Sequence, residues 1–355
     1  MKGIILHGGH GTRLRPLTHT GPKQLLPIAN KPMSQYALED LKTAGITEIG
    51  IVIGDVYPEK VKEYYGDGSD FGVKITYIYQ DSPKGISHAI KLCRDFIGNE
   101  RFIVYLGDNV LRKNLIDYTK KFETSNSDAM ILLCEVDDPQ RFGVAELDSN
   151  NPGKIKTIIE KPKEPTSNFA VIGIYFLTPK IFEIIENLKP SWRGELEITD
   201  ALFGLMQQGN KIEYDIVTGW WKDTGTPEDI IHANKLVLDS IGTENQFLIN
   251  HDDKINDKVV IGKNSIISQD SNIQGPVILG ENCHIGPSVR IGPYVSIGND
   301  SKLNNCTITN SIVMNDCTID AKIHLSNSII SHGSTIEHSD GSHELLLGER
   351  SKIKL

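Results

Sequence analysis

Two hydrophobic rhythms divide the chain. Up to about residue 240, short apolar runs alternate with longer amphipathic stretches. The runs are GIILH from Gly3, EIGIVIG from Glu48, KITYIYQ from Lys74, RFIVYLGD from Arg101 and AMILLCEV from Ala129. Between them lie segments with helical spacing, such as MSQYALEDLKTAG from Met33 and ISHAIKLCRDFIG from Ile86. Strands alternating with helices predict an α/β domain with a mostly parallel sheet covered by helices. Ligands on such sheets gather beyond the carboxyl ends of the strands. A glycine-rich turn after Leu6 and a Gly-Asp-Asn after Leu106 both fall at such ends and are expected to face one crevice.

Beyond about residue 250 the period changes. Aliphatic residues recur every six positions at Ile255, Ile261, Ile267, Ile273, Leu279, Ile285, Ile291, Ile297 and Leu303. Smaller residues often stand four positions later, as at Ser265, Ser271, Val277, Cys283, Val289, Val295, Ser301 and Thr307. A six-residue period describes a parallel β-helix, each flat face one short strand with its aliphatic residue turned inward. The pattern resembles the left-handed hexapeptide β-helix. Its register slips between Asn304 and Thr309 and returns as Val313, Ile319 and Leu325, then in a shifted frame as Ile330 and Ile336. A distorted turn is expected there, with an irregular cap after His338. The domains are accordingly expected at residues 1–240 and 241–355.

Composition narrows the function classes. The 355 residues suffice for two domains, and 39% hydrophobic with 23% charged residues is ordinary for a soluble globular protein. A net charge of −9 argues against a nucleic-acid partner, so any cationic site must be local. With no apolar run long enough for a bilayer and no secretory leader, the expectation is a cytoplasmic protein without a membrane partner. Five cysteines without a CxxC pair read as reduced structural thiols.

The first thirty-three residues hold the densest chemistry. Gly8, Gly9 and Gly11 let backbone amides converge on phosphate oxygens, Arg13 adds a planar fork and Lys23 a compact charge. The spacing is neither Walker A nor GxGxxG, which excludes a P-loop ATPase and a dinucleotide-binding dehydrogenase.

GGHGTRLRPLT from Gly8 and PKQLLPIANKPM from Pro22 resemble the signature of sugar-1-phosphate nucleotidyltransferases. The KQLLPI form is most similar to the glucose-1-phosphate thymidylyltransferases, here of the long form with a C-terminal left-handed β-helix. Matching segments follow in family order: YIYQDSPKGISHAI from Tyr77, YLGDN from Tyr105, RFGVAELD from Arg141, EKP from Glu160, RGELEITD from Arg193 and WKDTGTPED from Trp221. The resemblance implies a Rossmann-like core that converts dTTP and glucose 1-phosphate to dTDP-glucose and pyrophosphate for deoxysugar and glycan synthesis. It also implies a homo-oligomer, by association of the flat β-helix faces.

Such a reaction needs no general base, because the attacking phosphate oxygen is already an anion. Alignment and charge neutralisation carry it instead. By the resemblance, Arg13 holds the β and γ phosphates or the departing pyrophosphate, and Lys23 bridges the α-phosphate and the incoming sugar phosphate. Leu6, Gly8, Gly9, Gly11, Thr12 and Gln24 contact the nucleotide, and Gln80 with Gly85 the base. Gly143, Glu160 and Val171 hold the sugar, while Lys161 and Arg193 grip its phosphate. Asp108 and Asp223 are implied ligands of Mg2+, whose preference for oxygen donors suits two carboxylates plus phosphates.

Read without the family, Gly-Asp-Asn is an ordinary turn, Asp223 a helix N-cap, and Glu160 with Lys161 an exposed pair. Glu195 and Asp200 read as local capping or ion-pair residues. His7, His10, His19 and His88 lie near the substrate loops, although the mechanism needs no imidazole and the family often carries alanine at position 7. Three rival functions stay open: a UTP-using or substrate-relaxed enzyme, a non-catalytic regulatory subunit, and a bifunctional protein whose β-helix transfers an acyl group. Since the matched chemical groups run only from Leu6 to Asp223, the later half is expected to serve assembly and stability.

Overall fold

The structure is a computed structural model that describes residues 1–241 and 258–354. Ile255, the first member of the six-residue ladder, lies outside the described residues. Packing divides the chain into two units, Met1–Gly9 with Ser34–Asp223, and His10–Met33 with Thr224–Leu355. The helix Pro227–Ser240 thus packs in the second unit, and the 240/241 boundary remains a reading of the repeat pattern.

In the first unit, strands Phe102–Leu106, Lys2–His7, Glu48–Ile53 and Lys74–Tyr79 lie side by side and parallel. Beyond Leu106 the sheet becomes mixed. Phe169–Leu177 runs antiparallel to Phe102–Leu106 and also to Ala129–Glu135 and Gly143–Leu147, while Ile155–Glu160 closes that edge antiparallel to Gly143–Leu147. The reason is connection length: neighbours such as Gly143–Leu147 and Ile155–Glu160 are joined too closely for a helical crossover. Ile4, Leu6, Val104, Ile131, Leu133 and Tyr175 share one core beneath the sheet. Helix Met33–Thr43 buries Met33, Ala37, Leu38 and Leu41, the one-faced spacing that a helix over a sheet requires.

The second unit is a left-handed parallel β-helix preceded by the helix Pro227–Ser240. Val259, Val277 and Val295 pair in parallel, as do their neighbours, so the early coils repeat every three hexapeptides. Ile273, Leu279, Ile285, Ile291, Ile297 and Leu303 are buried as the ladder predicts, each burial contributing about 1.5 to 3 kcal/mol. Corners need a left-handed backbone, and asparagine or aspartate supplies it at Asn264, Asn282 and Asp300, with φ of 60°, 56° and 59°. Their side chains form a ladder, Asn264 Nδ2 donating to Asn282 Oδ1 at 3.2 Å and Asn282 Nδ2 to Asp300 Oδ1 at 3.0 Å.

The slip after Asn304 has a clear form. Strand Lys302–Thr309 continues through what was a corner and serves two faces, pairing with both His284–Ile285 and Arg290–Ile291. The coil shortens, so that Val295 pairs with Ser311 and Ile312 with Ile329. Cys306 and Ile308 turn inward in place of Thr307, whose side chain is only partly buried. Val313, Ile319, Leu325, Ile330 and Ile336 are buried in the new frame. Inward thiols cap the next coil: Cys283 Sγ donates to the carbonyl of Gly298 and Cys317 Sγ to that of Ser331, each at 3.2 Å.

Segment His10–Met33 belongs to this unit through specific bonds. Asn234, 1% exposed on the helix, accepts at Oδ1 from the Ala29 amide at 2.8 Å and from Ser296 Oγ at 3.0 Å. Asn30 Nδ2 donates to the Ile297 carbonyl. The β-helix therefore supports the segment that contains Arg13 and Lys23, a wider role than the matched motifs suggest.

Candidate functional site

In the first unit a short ladder brings the two expected metal-binding carboxylates near one another. Trp221–Asp223 runs antiparallel to Asn109–Leu111, with Asp223 opposite Asn109 and so beside Asp108. Asn109 ties the arrangement down. Its Nδ2 donates to Asp108 Oδ1 at 3.0 Å, while its Oδ1 accepts from Trp221 Nε1 at 2.7 Å and from the Gly173 amide at 3.2 Å. Magnesium commonly takes one or two carboxylates and completes its shell with phosphate oxygens and water. The pair suits that use, and among the described residues no cluster of three or more His, Cys, Asp or Glu offers a closed metal cage.

The residues expected to hold the sugar also come together. Glu160 stands opposite Gly143 in the edge ladder, and a Cβ at Gly143 would lie 2.5 Å from Thr199 Cγ2, 3.3 Å from Glu160 Oε2 and 3.9 Å from Val171 Cβ. Only glycine fits there. Thr199 Oγ1 donates to Glu160 Oε2 at 3.1 Å. Arg193 sits among carboxylates, with Glu160 at 3.6 Å, Glu195 at 3.0 Å and Glu197 at 3.3 Å, so it orients the acidic cluster as well as offering charge to a phosphate. Lys161, 3.9 Å from Glu160, has a φ of 41°, a left-handed backbone uncommon outside glycine and typical of strained functional positions. Burial, then the charge of Glu197, raises the Glu160 pKa above its ordinary value against the pull of Lys161, Thr199 and Arg193.

Buried Tyr175 links the two groups. Its hydroxyl is held protonated by burial and by the fields of Glu160, Asp108, Asp223 and Glu197 together. Asp108 and Asp223 on one side and Glu160 and Glu197 on the other thus act on one neighbourhood.

Leu6, next to last in its strand, accepts at its carbonyl from the Gly107 amide at 3.0 Å. Gly9 has a φ of 91°. Beneath this turn Gln80, 4% exposed, directs Oε1 toward Gly8, where an added Cβ would lie 3.2 Å away. Gly85 is confined by the backbone of Leu196, whose carbonyl would lie 2.5 Å from a Cβ, and Leu196 N donates to the Lys84 carbonyl. The loop carrying Gly85 and the loop carrying Arg193 and Leu196 are therefore hydrogen-bonded to one another. His7 packs edge-on to Tyr65 at 6.0 Å, and both its ring nitrogens are buried with no hydrogen-bond partner among the described residues. Burial depresses its pKa to about 3 despite the opposing charge of Asp108, so it is neutral at ordinary pH.

The remaining expected residues, Gly11, Thr12, Arg13, Lys23 and Gln24, fall in the second unit. Gly11, with φ 59°, opens the single turn Thr12–Leu14 that presents Arg13. Thr18 Oγ1 donates to the Gly11 carbonyl at 2.8 Å, and a Cβ at Gly11 would lie 3.4 Å from Lys23 Cβ. Both cationic positions are thereby brought to one loop, while Gln24 is buried beside Lys23.

Reading the sequence overlooked Asn109, Tyr175, Glu197 and His88 as site-building residues. Asn109, Glu197 and His88 lay inside the quoted motifs, but nothing in a motif shows which carboxylate or amide a side chain will meet.

No helix among the described residues is long and apolar enough to cross a membrane. The nucleotidyl transferase family matches residues 2–240, and the GMPPB C-terminal domain matches residues 273–354. The chain is 46% identical to the low-salt glycan biosynthesis nucleotidyltransferase Agl11 of Haloferax volcanii, covering 100% of both chains. It is 38% identical to a glucose-1-phosphate thymidylyltransferase of Streptomyces antibioticus, over 100% of this chain and 99% of the other. Among solved structures, a UDP-glucose pyrophosphorylase bound to UDP-glucose is similar with a TM-score of 0.61 and 31% identity, over 67% of this chain and 98% of that one. With the paired aspartates, the glycine-lined cluster around Glu160 and the two family matches in agreement, the chain belongs to the nucleotidyl transferase family and is a sugar-1-phosphate nucleotidyltransferase with a C-terminal left-handed β-helix.

Proposed function

We propose that the protein transfers a thymidylyl group from dTTP to glucose 1-phosphate, releasing pyrophosphate. The placement of Asp223 beside Asp108, in electrostatic reach of the same buried tyrosine as Glu160, carries this reading. Arg13 and Lys23 neutralise the triphosphate and align the attacking oxygen of the sugar phosphate on the α-phosphorus. Glu160 accepts from sugar hydroxyls, and Gly143 leaves room for the ring. Asp108 and Asp223 would hold Mg2+, which when bound supplies charge stabilisation to phosphate oxygens. The resemblance of KQLLPI and of the full-length Streptomyces relative favours dTTP.

A second reading is UTP as the donor. It is supported by the likeness to a UDP-glucose pyrophosphorylase and by Gln80, whose amide meets the same imide edge in uracil and thymine. One methyl separates the bases, a difference of about 1 to 3 kcal/mol in a pocket. Pyrophosphate release measured across four nucleoside triphosphates and a panel of sugar 1-phosphates tests both. Turnover confined to dTTP with glucose 1-phosphate supports the first reading, equal turnover with UTP the second, and no turnover with any pair would leave a regulatory subunit. The flat parallel faces of the β-helix also support a homo-oligomer, which sedimentation tests, and the substrate class supports a cytoplasmic site of action.

A further inference from the structure

Gln80 and His88 form a hydrogen-bonded pair that neither motif nor mechanism explains. Gln80 Nε2 lies 3.0 Å from His88 Nδ1. An amide nitrogen carries hydrogens and no available lone pair, so it must donate and Nδ1 must accept. That places the proton of neutral His88 on Nε2. It also fixes the amide, because Oε1 is left on the opposite side, toward Gly8. Gln80 is 4% exposed and His88 only half-buried on the helix Ile86–Leu92, so the ring can be altered with little effect on the core.

We propose that His88 is a positioning residue for base selection, locking the Gln80 amide so that it presents carbonyl oxygen first to a pyrimidine imide. The inference rests on the reading of Gln80 as the base contact. Thymine and uracil carry a hydrogen on N3 that the carbonyl accepts, and an adjacent oxygen for the second amide hydrogen. Cytosine has the reverse pattern, with a bare N3 and an amino group, and would need the amide turned over. Turning it would set Oε1 against the Nδ1 lone pair or require the ring proton to move from Nε2 to Nδ1, a cost that the imide bases do not bear. The helix and loop around His88 contribute Lys84, Asp81 and Lys91, and burial with Lys84 and Lys91 keeps the ring below its ordinary pKa of 6.5 against Asp81. Neutral His88, the form that locks the amide, is therefore the form present near neutral pH.

The test is calorimetric binding of dTTP, UTP and CTP, without sugar phosphate, to the full-length protein carrying His88, His88→Leu or His88→Asn. Wild type should prefer dTTP and UTP over CTP. His88→Leu removes the acceptor and should cut that preference by about tenfold, the worth of one misdirected hydrogen bond. His88→Asn, with an oxygen where Nδ1 stood, should restore it. In wild type the preference should also fall as pH drops through the lowered His88 pKa, and in His88→Asn that limb should vanish. A dTTP-to-CTP ratio unchanged within twofold in His88→Leu overturns the inference alone. Equal binding of ATP, CTP and dTTP by wild type overturns the base-site reading of Gln80 and the inference with it.

Discussion

Asp223 and Asn109 face each other across an antiparallel ladder of three residue pairs, and Asn109 in turn holds Asp108 by a 3.0 Å hydrogen bond. Two carboxylates more than a hundred residues apart in sequence are thus brought side by side, Asp223 by the backbone ladder and Asp108 by an amide that also receives the indole of Trp221.

Replacing either carboxylate by its amide keeps the shape and removes an anion. Asp108→Asn and Asp223→Asn should each lower kcat by about a hundredfold or more while the melting temperature stays near wild type. Turnover against magnesium concentration, with differential scanning fluorimetry alongside, checks this; near-normal rates at ordinary magnesium would remove the metal assignment.

Lys23 is proposed to act on both phosphates as they approach. Lys23→Ala should therefore slow the single-turnover step by about a hundredfold while nucleotide affinity changes by less than about tenfold. A rapid-quench experiment separates the two. Loss of affinity alone would make Lys23 a simple binding residue.

Asn234 connects the phosphate-loop segment to the β-helix by accepting two hydrogen bonds in a buried position. Asn234→Leu leaves the Ala29 amide and the Ser296 hydroxyl without that acceptor, at a cost of about 1 to 3 kcal/mol for each group. We expect a lower melting temperature and a higher KM for the nucleoside triphosphate. For the same reason a chain truncated at residue 245 should lose turnover along with stability. A folded truncation with normal KM would show that segment His10–Met33 stands unaided.

Glu160 has a pKa raised by burial and by Glu197. A raised carboxyl pKa means that the folded protein holds this proton more tightly than the unfolded chain. The group's stability contribution is therefore present at low pH and lost as pH rises from the unfolded value of 4.5 through the folded one. With Glu160 in its proposed role, sugar binding runs the other way, because the carboxylate is the better acceptor for hydroxyls. KM for the sugar phosphate should rise as pH falls, with a limb above 4.5, and Glu160→Gln should flatten that limb. A limb that survives the substitution belongs to another group.

The ladder from Ile261 to Leu303 was legible because inward positions of a β-helix must be aliphatic at a fixed spacing, whatever their neighbours. The break near Asn304 showed as lost register. Its form, one strand serving two faces, depends on which residues pair across coils, and no local pattern encodes that. The parallel core was legible from its alternation with helices, whereas the antiparallel edge around Glu160 depends on close connections that periodicity does not report. Gly143, Glu160, Asp108 and Asp223 were legible as motif members and Val171 as a position the resemblance implies, and the structure brings each into a cluster. Asn234 and Tyr175 escaped notice, and His88 was placed near the substrate loops without a role, because each acts through a partner chosen by tertiary packing.

The inward thiols of the β-helix turn the coil stack into a self-reporting spring. Burial pushes Cys306 up to about 12 and Cys317 up to about 11, and it raises Cys283 as well, so none is a ready nucleophile while its coil stays wound. Within the stack each coil packs on and hydrogen-bonds to its neighbours alone, so unwinding proceeds locally from a loosened end. Each thiol becomes reactive when its own turn lets go. The order in which an alkylating agent reaches Cys317, Cys306 and Cys283 is then a written record of the direction in which the spring uncoils.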